Sequence, residues 1–332
     1  MSPASTIERG DADWLAAAAA LGQRARPLSR PNPPVGAIVV QEGRVVGRGW
    51  TRPGGRPHAE AEALAMAGAA ARGATLYVTL EPCAHRSARG PACADLAAAA
   101  GLARVVAAVQ DPDPRTAGAG LARIAGAGIA ADIVPCPAGQ VGLEGYLARH
   151  ALGRPHVTLK LGLSLDGAIA LASGESRWIT GEEARAHAHL ERARADAILV
   201  GGGTLRADDP RLDVRLPGLE GRNPERWVLT RGEPPEGWRK LVSPAAIAET
   251  DGIRHLLVEG GAQAAAAFLA ADLVDRLLIY RAPIVIGAGR PGVADLGLAG
   301  LAAAHGRWRE TDSRRLGNDR LEVYQRIRCS PE

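Results

Sequence analysis

Short apolar runs alternate with alanine-rich stretches through the first half of the chain. Apolar and polar residues alternate in "VGAIVVQEGRVVGRGW" on either side of Glu42 and Gly43, which predicts a β-hairpin. The other segments predict helices in "DWLAAAAALGQRA", from His58 onward, at the end of "EPCAHRSARGPACADLAAAAG" and in "LARIAGAG", and strands in "ATLYVTL", "RVVAAVQDP" and "IAADIVP". Alternation of strands and helices is typical of a layered α/β domain.

A second alternating series begins after "LARHALGRP", at residues 147–155. Strands are predicted in "HVTLKLGLSLDGAIA", "DAILVGGGT", "ERWVLT", "IRHLLVEGG", "RLLIYRAPIVIG" and "DRLEVYQRI", with a glycine loop after the second of these and a helix in "AQAAAAFLAA". A chain of 332 residues is long for a single hydrophobic core. The pattern therefore predicts two α/β domains, residues 1–150 and 151–332.

Two glycine clusters follow predicted strands of the second domain. In "LLVEGGAQAAAAFL" a strand, a glycine pair and a helix start succeed one another, so free backbone N–H groups would face a phosphate there. The glycines of "ILVGGGT" would likewise let the backbone approach a ligand closely. Neither cluster has the G-x-G-x-x-G pattern of Rossmann domains, and taken alone each is better explained as an ordinary tight turn.

Composition and charge narrow the class of function. Hydrophobic residues make up 46% of the chain and charged residues 23%, as in ordinary globular proteins. The 40 basic and 36 acidic residues form no polybasic block and aromatics are only 3%, which argues against nucleic-acid binding. The apolar run "WLAAAAALG" is too short to span a membrane and lacks a basic n-region, so we expect the cytoplasm. Of four cysteines, Cys136 and Cys329 lie near no histidine and are expected to be plain thiols.

The remaining cysteines belong to a zinc-deaminase signature. That signature is H-x-E followed by P-C-x-x-C, in which one histidine and two cysteines hold zinc and the glutamate transfers protons. His58 and Glu60 supply the first half and Pro82 and Cys83 begin the second, but nine residues separate Cys83 from Cys93. Zinc with three protein ligands keeps one position for water, whose pKa it lowers enough for hydrolytic removal of an amino group.

The spacing of the first pair predicts where the metal lies. Side chains two residues apart point about 200° apart around a helix, so His58 and Glu60 can converge only on an object at the helix tip. The proline before His58 favours a helix start at that point. His85 competes as third ligand, but so close to Cys83 it would strain a tetrahedral site. We therefore prefer Cys93 and leave His85 for substrate.

The order of several motifs resembles the bifunctional riboflavin-biosynthesis deaminase/reductase family over nearly the whole chain. These motifs are "PNPPVGAIVV", "GGRPHAEAEAL", "TLEPCAH", "PACADL", "RPHVTLKLGLSLDGAIA", "GESRWITG", "DAILVGGGTLRADDPRLDVR" and "LLVEGG". The resemblance implies a cytidine-deaminase-like three-layer α/β/α N-terminal domain and a dihydrofolate-reductase-like α/β C-terminal domain. The first would use zinc to deaminate 2,5-diamino-6-ribosylamino-4(3H)-pyrimidinone 5′-phosphate. The second would use NADPH to reduce the ribosyl side chain, giving 5-amino-6-ribitylamino-uracil 5′-phosphate.

The resemblance also implies roles for individual residues. Zinc falls to His58, Cys83 and Cys93. Proton transfer falls to Glu60, and Asn32 lines the deaminase pocket. The implied substrate contacts of the reductase domain are Lys160, Ser176, Arg192, Leu212, Arg215 and Glu259, with Lys160 near the phosphate, and the implied cofactor contacts are Gly162, Trp178, Thr204, Asp208, Gly261, Ala262 and Gln263. A homodimer is the oligomeric state that the resemblance suggests.

Three features depart from the family pattern. The loop between the two zinc-site cysteines is one residue longer, which leaves open whether Arg86 or Arg89 takes the family's basic substrate contact. Ala168 follows "SLDG", where the family usually has a basic residue. The segment 230–255 is short where the family carries a further strand near the cofactor, and Thr230 replaces an aspartate.

These departures leave an alternative open, namely a deaminase whose second domain only binds or assembles. A further alternative is a nucleic-acid base deaminase. Such an enzyme needs a basic, aromatic-lined channel for a flipped base, and the sequence offers none. We therefore expect a phosphorylated pyrimidine of small size as the substrate, and neither a nucleic acid nor a membrane as a partner.

Overall fold

The computed structural model describes residues 10–328. The chain divides into two compact units, and the division falls between Ala151 and Leu152. Cys329, for which the sequence predicts a plain thiol, lies outside the described residues. Within residues 10–328, no helix has both the length and the apolar character that crossing a membrane requires.

The first unit is built on a five-stranded sheet. Its strands are β1 (Gly36–Gln41), β2 (Arg44–Trp50), β3 (Thr75–Val78), β4 (Arg104–Ala107) and β5 (Ala130–Ile133). Its helices are α1 (Asp11–Gly22), α2 (Ala59–Ala67), α3 (Cys93–Ala99), α4 (Ala119–Gly126) and α5 (Glu144–Leu152). The strand order is β2-β1-β3-β4-β5, in which β1 is antiparallel to both of its neighbours and β3, β4 and β5 are parallel.

Alternate side chains of β1 face different helices, because successive residues of a strand point to opposite faces of the sheet. Ala37 and Val39 are buried with residues of α2, α3 and α4. Ile38 and Val40 are buried on the other face, with Trp14 of α1. The sheet is thus covered on both faces, and the predicted three-layer α/β/α arrangement is confirmed.

Two glycines of β2 allow α2 to lie very close to the sheet. A Cβ on Gly47 would lie 2.1 Å from the carbonyl oxygen of Ala63, and a Cβ on Gly49 would lie 2.3 Å from that of Ala59. A side chain at either position would therefore push the helix away. This close contact fixes the N-terminus of α2, next to His58, relative to the sheet.

The second unit is built on an eight-stranded sheet and a two-stranded one. Its strands are β6 (His156–Leu163), β7 (Ala168–Ala170), β8 (Ala197–Gly201), β9 (Glu225–Leu229), β10 (Arg239–Leu241), β11 (His255–Glu259), β12 (Arg276–Arg281), β13 (Arg290–Pro291), β14 (Trp308–Leu316) and β15 (Asp319–Arg326). Its helices are α6 (Glu182–Arg194), α7 (Gly202–Asp208) and α8 (Ala262–Ala270).

The larger sheet reverses its strand order at β11. The order is β10-β9-β8-β11-β6-β12-β15-β14, in which the first six strands are parallel to one another, β15 is antiparallel to β12, and β14 is antiparallel to β15. Trp227, Leu159 and Phe268 belong to the core that covers it. Ligands of open α/β sheets bind beyond the carboxyl ends of the strands where the order reverses. The ends of β6, β8 and β11 therefore mark the expected site.

The structure differs from the sequence prediction at a few elements. The glycines at 201–203 end β8 and begin α7 and do not form a loop, and the strand predicted for 276–287 ends at Arg281. The sequence pattern did not predict α6, β10 or β14. α6 is largely polar and most residues of β14 are exposed, so neither has a strong apolar stripe. β10 pairs in parallel with β9, so the short segment 230–255 does contain a strand.

Candidate functional site

His58 lies just before α2. It is the N-cap residue, with extended backbone (φ −74°, ψ 162°), and the helix begins at Ala59. The sequence predicted a helix from His58, and the helix begins one residue later. Pro57 lies before the cap, and its carbonyl accepts a hydrogen bond from the N–H of Arg52 at 3.0 Å. Because His58 lies outside the helix, the 200° separation of helical side chains does not apply to it. Glu60 in the first turn of α2 can therefore face the same point as the His58 ring.

Two cysteines face the histidine ring. The Nδ1 atom of His58 lies 3.6 Å from Sγ of Cys83 and 3.3 Å from Sγ of Cys93. Cys93 is the first residue of α3, and its backbone N–H donates to Sγ of Cys83 at 3.3 Å. The three ligand atoms lie within 4.8 Å of one another. Two sulfurs and one imidazole nitrogen at these distances fit a tetrahedral zinc ion with one position left for another ligand.

Asn32 holds the other side of the histidine ring. Its Nδ2 donates to the carbonyl oxygen of Gly55 at 2.8 Å and lies 2.9 Å from Nε2 of His58. A Cβ on Gly55 would lie 2.7 Å from the Asn32 side chain, so glycine is required for this contact. Asn32 thus contacts Nε2 of His58, while Nδ1 of the same ring faces the two cysteines.

The pKa values of the two thiols are shifted in opposite directions. The contact with the Cys93 thiol lowers the pKa of Cys83 most strongly, and His58 lowers it further. The same contact, together with burial, raises the pKa of Cys93. Burial disfavours the charged form of His58, but the hydrogen bond to Cys83 and the charge of Glu60 outweigh burial and raise its pKa. The pair therefore carries a thiolate at Cys83, the form of cysteine that binds metals.

Glu60 is buried beside the three ligands. Its side chain is only 3% exposed. Burial raises the pKa of Glu60 to about 7, an effect that His58 opposes and the Cys83 thiolate reinforces. A carboxyl group with a pKa near neutral can both accept and donate a proton at that pH, as general acid–base catalysis requires.

The basic residues of the cysteine loop have partners of their own. Nδ1 of His85 lies 3.4 Å from Oγ1 of Thr116. In the described part of the chain, His85 belongs to no group of three metal-capable residues, so the structure does not support it as third ligand. Nε of Arg86 donates to an aspartate of α3 at 3.3 Å, and Nη2 of Arg89 donates to the carbonyl of Gly54 at 2.7 Å.

The second unit contains a cavity of about 1080 Å³ beyond the ends of β6, β8 and β11. It is lined by all thirteen residues that the resemblance assigns to this domain: Lys160, Gly162, Ser176, Trp178, Arg192, Thr204, Asp208, Leu212, Arg215, Glu259, Gly261, Ala262 and Gln263. Ordinary small-molecule pockets measure about 300 to 1,000 Å³. The cavity lies at the upper end of that range, and the role of each lining residue stays a prediction.

A buried cluster of charges lies in the cavity wall. Nε and Nη2 of Arg192 donate to the two carboxylate oxygens of Glu259 at 2.7 and 2.8 Å. Nζ of Lys160 lies 3.9 Å from the same carboxylate and 5.7 Å from the ring centre of Tyr280. Burial disfavours the Glu259 anion, but Arg192 and Lys160 outweigh burial and lower its pKa to about 2. Glu259 therefore stays ionised at neutral pH.

Backbone geometry shapes the cavity at the start of α8. Gly260 and Gly261 have positive φ values of 117° and 74°. A Cβ on Gly261 would lie 2.6 Å from Oγ1 of Thr204. Both this close approach and the positive φ therefore require glycine at this position. Ala262 and Gln263, the first residues of α8, also line the cavity. The first N–H groups of a helix lack intrahelical partners and suit an anion such as a dinucleotide phosphate.

Sequence reasoning missed several cavity residues. Arg185 lies with its guanidinium 4.7 Å above the ring centre of Trp178, which is 65% exposed. His189 and Arg290 also line the cavity. Arg185 and His189 belong to α6, a helix that the apolar pattern did not predict and to which only the resemblance pointed, through Arg192. In the first unit, sequence reasoning also missed Glu81, although it lies in the quoted motif "TLEPCAH".

The structure shows what surrounds Ala168 and Thr230, two residues that depart from the family pattern. Ala168 is buried, and its Cβ lies 2.9 Å from the place where Gly289 would carry one, so a large basic side chain would not fit without rearrangement. Thr230 follows β9, and its backbone N–H donates to the carbonyl of Leu241 in β10. A Cβ on Gly202 would lie 3.1 Å from its Oγ1.

Models of two protein families match the chain. The model of the cytidine and deoxycytidylate deaminase zinc-binding region matches residues 9–109, and the RibD C-terminal domain matches residues 155–321. The chain is similar to the riboflavin biosynthesis protein RibD of Escherichia coli (strain K12), with 40% identity over 89% of this chain and 94% of that protein. It is also similar to RibD of Aquifex aeolicus, with 34% identity over 96% of this chain and 99% of that protein.

Solved structures resemble the chain over almost its full length. A RibD structure from Acinetobacter baumannii has a TM-score of 0.82 and 33% identity, over 96% of this chain and 99% of that one. The diaminohydroxyphosphoribosylaminopyrimidine deaminase/5-amino-6-(5-phosphoribosylamino)uracil reductase of Thermotoga maritima has a TM-score of 0.84 and 29% identity, over the same shares of the two chains.

Proposed function

Because the chain belongs to the RibD family of riboflavin biosynthesis, we propose which of its residues carry the two reactions of that family. The chain is a bifunctional enzyme, with a zinc-dependent deaminase and an NADPH-dependent reductase. It acts on a small molecule in the pathway to riboflavin. The proposal divides the two activities between residues 1–150 and 151–332, with the deaminase first.

In the deaminase half, His58, Cys83 and Cys93 would hold zinc. Bound there, zinc supplies an acidified water for hydrolysis. Glu60 takes up the proton from that water and delivers one to the departing amino group, a role that its burial beside the ligands supports. Asn32 and His85 contact the pyrimidine. The observation that supports this assignment best is the convergence of three ligand atoms within 4.8 Å.

In the reductase half, the cavity takes the deaminated ribosylaminouracil phosphate together with NADPH, which supplies the reducing equivalents. The substrate side comprises Lys160, Ser176, Arg192, Leu212, Arg215 and Glu259. The NADPH side comprises Gly162, Trp178, Thr204, Asp208, Gly261, Ala262 and Gln263. Lys160 attracts the substrate phosphate, while the Glu259 carboxylate accepts hydrogen bonds from substrate hydroxyl groups.

The cellular compartment, the class of substrate and the oligomeric state belong to the same proposal. The two free thiols of the zinc site need a reducing compartment, which favours the cytoplasm. The small-molecule cavity and the scattered charges favour a phosphorylated pyrimidine over a nucleic acid. A homodimer is proposed from the family resemblance and is checked by light scattering of the purified chain.

One experiment with two variants tests the deaminase assignment. Glu60→Gln should keep about one zinc per chain and lose ammonia release, because the amide cannot carry a proton. Cys83→Ser should lose the zinc as well, because one of three ligands is gone. Both variants should still oxidise NADPH when given the deaminated substrate, which controls for folding of the second unit. Normal ammonia release by Glu60→Gln, or zinc retained by Cys83→Ser, would contradict the respective role.

A further inference from the structure

Glu81 is a buried carboxylate outside the groups assigned so far. Its side chain is 2% exposed. Oε2 accepts hydrogen bonds from the backbone N–H groups of Gly118 at 2.9 Å and Asp111 at 3.2 Å. Oε1 accepts from those of Gly120 at 2.9 Å and Leu121 at 3.1 Å. Four backbone donors on one carboxylate make a strong link, because hydrogen bonds to an ionised acceptor are about twice as strong as neutral ones.

This link joins the zinc-ligand segment to the start of α4. Glu81 lies two residues before Cys83, and its own N–H donates to the carbonyl of Val109. A Cβ on Gly120 would lie 1.9 Å from the carbonyl oxygen of Pro82, so the two segments touch backbone to backbone. The position of Cys83 relative to the sheet therefore depends on how firmly Glu81 holds the chain at 111–121.

The same segment also supports the residues that directly follow Cys83. Thr116 is fully buried, and its Oγ1 accepts a hydrogen bond from the N–H of Ala84 at 3.5 Å. The same Oγ1 lies 3.4 Å from Nδ1 of His85. Residues 83–85 are thus held from both sides by one segment that Glu81 anchors.

Building on the proposed function, we propose that Glu81 is a positioning residue of the deaminase site, which holds Cys83 at ligand distance and His85 at the pocket. Its carboxylate binds backbone N–H groups of residues 111–121, and it acts on the site through the backbone of residues 82–85. An amide cannot replace it, because its NH₂ group would face backbone N–H donors and leave part of them unpaired.

Glu81→Gln tests the role by metal retention and kinetics together. We measure the rate at which zinc passes to a colorimetric chelator under native conditions, and kcat and KM for ammonia release. Outer partners of metal sites typically change affinity or activity by about 10- to 100-fold, so we expect zinc release and the loss of kcat/KM to change by about tenfold or more. NADPH oxidation with the deaminated substrate should not change.

Asp11→Asn is the matched control for lost stability. Asp11 accepts hydrogen bonds from Arg104 and Tyr77 in the same unit, and none of these residues belongs to the segments 81–85 or 111–121. We expect this variant to unfold more easily yet to release zinc at the unaltered rate. If Glu81→Gln releases zinc no faster than Asp11→Asn, Glu81 is only a structural residue and the proposal is overturned.

Thr116→Val decides the matter if Glu81→Gln does not fold. The substitution keeps the shape and removes the hydroxyl that contacts Ala84 and His85, so ammonia release should lose about two- to fivefold in kcat/KM, roughly the value of one hydrogen bond. Unaltered kinetics in this variant would overturn the proposal. If the unaltered protein itself neither holds zinc nor releases ammonia, the proposed deaminase function fails, and that outcome is distinct from failure of the positioning role.

Discussion

Glu60 in the first unit and Glu259 in the second are buried glutamates whose pKa values are shifted in opposite directions. Burial raises the pKa of Glu60 to about 7, whereas two cations hold the pKa of Glu259 at about 2. A carboxyl group that must exchange protons needs the first setting. A carboxylate that must accept hydrogen bonds from a bound ligand throughout the reaction needs the second. Each environment thus suits the role that we propose for its residue.

The acidity of Glu259 predicts a pH dependence of stability. Its folded pKa of about 2 lies below its ordinary value of 4.5, so its contribution is fully present above pH 4.5 and is lost as pH falls through 2. That contribution is on the order of 3 kcal/mol at neutral pH. Glu259→Gln should be less stable at pH 7, and its deficit should shrink as pH falls from 5 to 3. Urea unfolding at several pH values checks this, and pH profiles that stay parallel would contradict it.

Single residues were predictable where their chemistry is diagnostic. His58, Cys83 and Cys93 could be selected because few arrangements other than a metal site bring such residues into one motif. Glu81 could not, because a glutamate that binds backbone N–H groups looks in sequence like any surface glutamate. Its partners lie 30 to 40 residues away, and no local pattern relates them.

At the scale of elements, both candidate sites lie where helices begin. His58 and Cys93, two of the proposed zinc ligands, are the N-cap of α2 and the first residue of α3. In the second unit, Gly261 is the N-cap of α8 and borders the cavity. Helix starts place side chains and free N–H groups at one point, while the sheet behind them keeps that point fixed.

Gly261→Ala tests the geometry at the start of α8. The new Cβ would strain a left-handed backbone and lie 2.6 Å from Oγ1 of Thr204, so the KM for NADPH should rise by about tenfold, equivalent to about 1.4 kcal/mol. Gly252→Ala is the matched control, because its φ is also positive at +72° but no atom lies within 4 Å of the new Cβ. Both variants should lose stability, and only the first should lose NADPH affinity. An equal KM in both would contradict the cofactor assignment.

Elements were predictable where their apolar periodicity was strong. The hairpin of β1 and β2 turns at Glu42 and Gly43, as predicted, because both residues adopt positive φ at the turn. α6 escaped prediction because alanine and charged residues give it almost no apolar stripe, although it contributes Arg192 to the cavity. The glycines of α7 suggested a loop, since glycine disfavours helix in isolation and only tertiary contacts override that preference.

At the scale of the whole molecule, each unit contains the residues that we propose for one reaction. The three proposed zinc ligands and Glu60 lie in the first unit, and the thirteen cavity residues lie in the second. The order of motifs along the chain was enough to predict the family, because many short motifs in one order rarely arise by chance. The cavity itself could not be predicted from periodicity, since it depends on strands that are distant in sequence and adjacent in the sheet.

The most direct test of the account follows both reactions in one solution. Purified protein with zinc is given the diaminopyrimidinone ribosyl phosphate and NADPH, and ammonia release and NADPH oxidation are recorded together. We expect both to proceed, with about one NADPH oxidised for each ammonia released, because the two reactions are consecutive. Ammonia release with NADPH unchanged would contradict it, and would identify a deaminase whose second domain only binds or assembles.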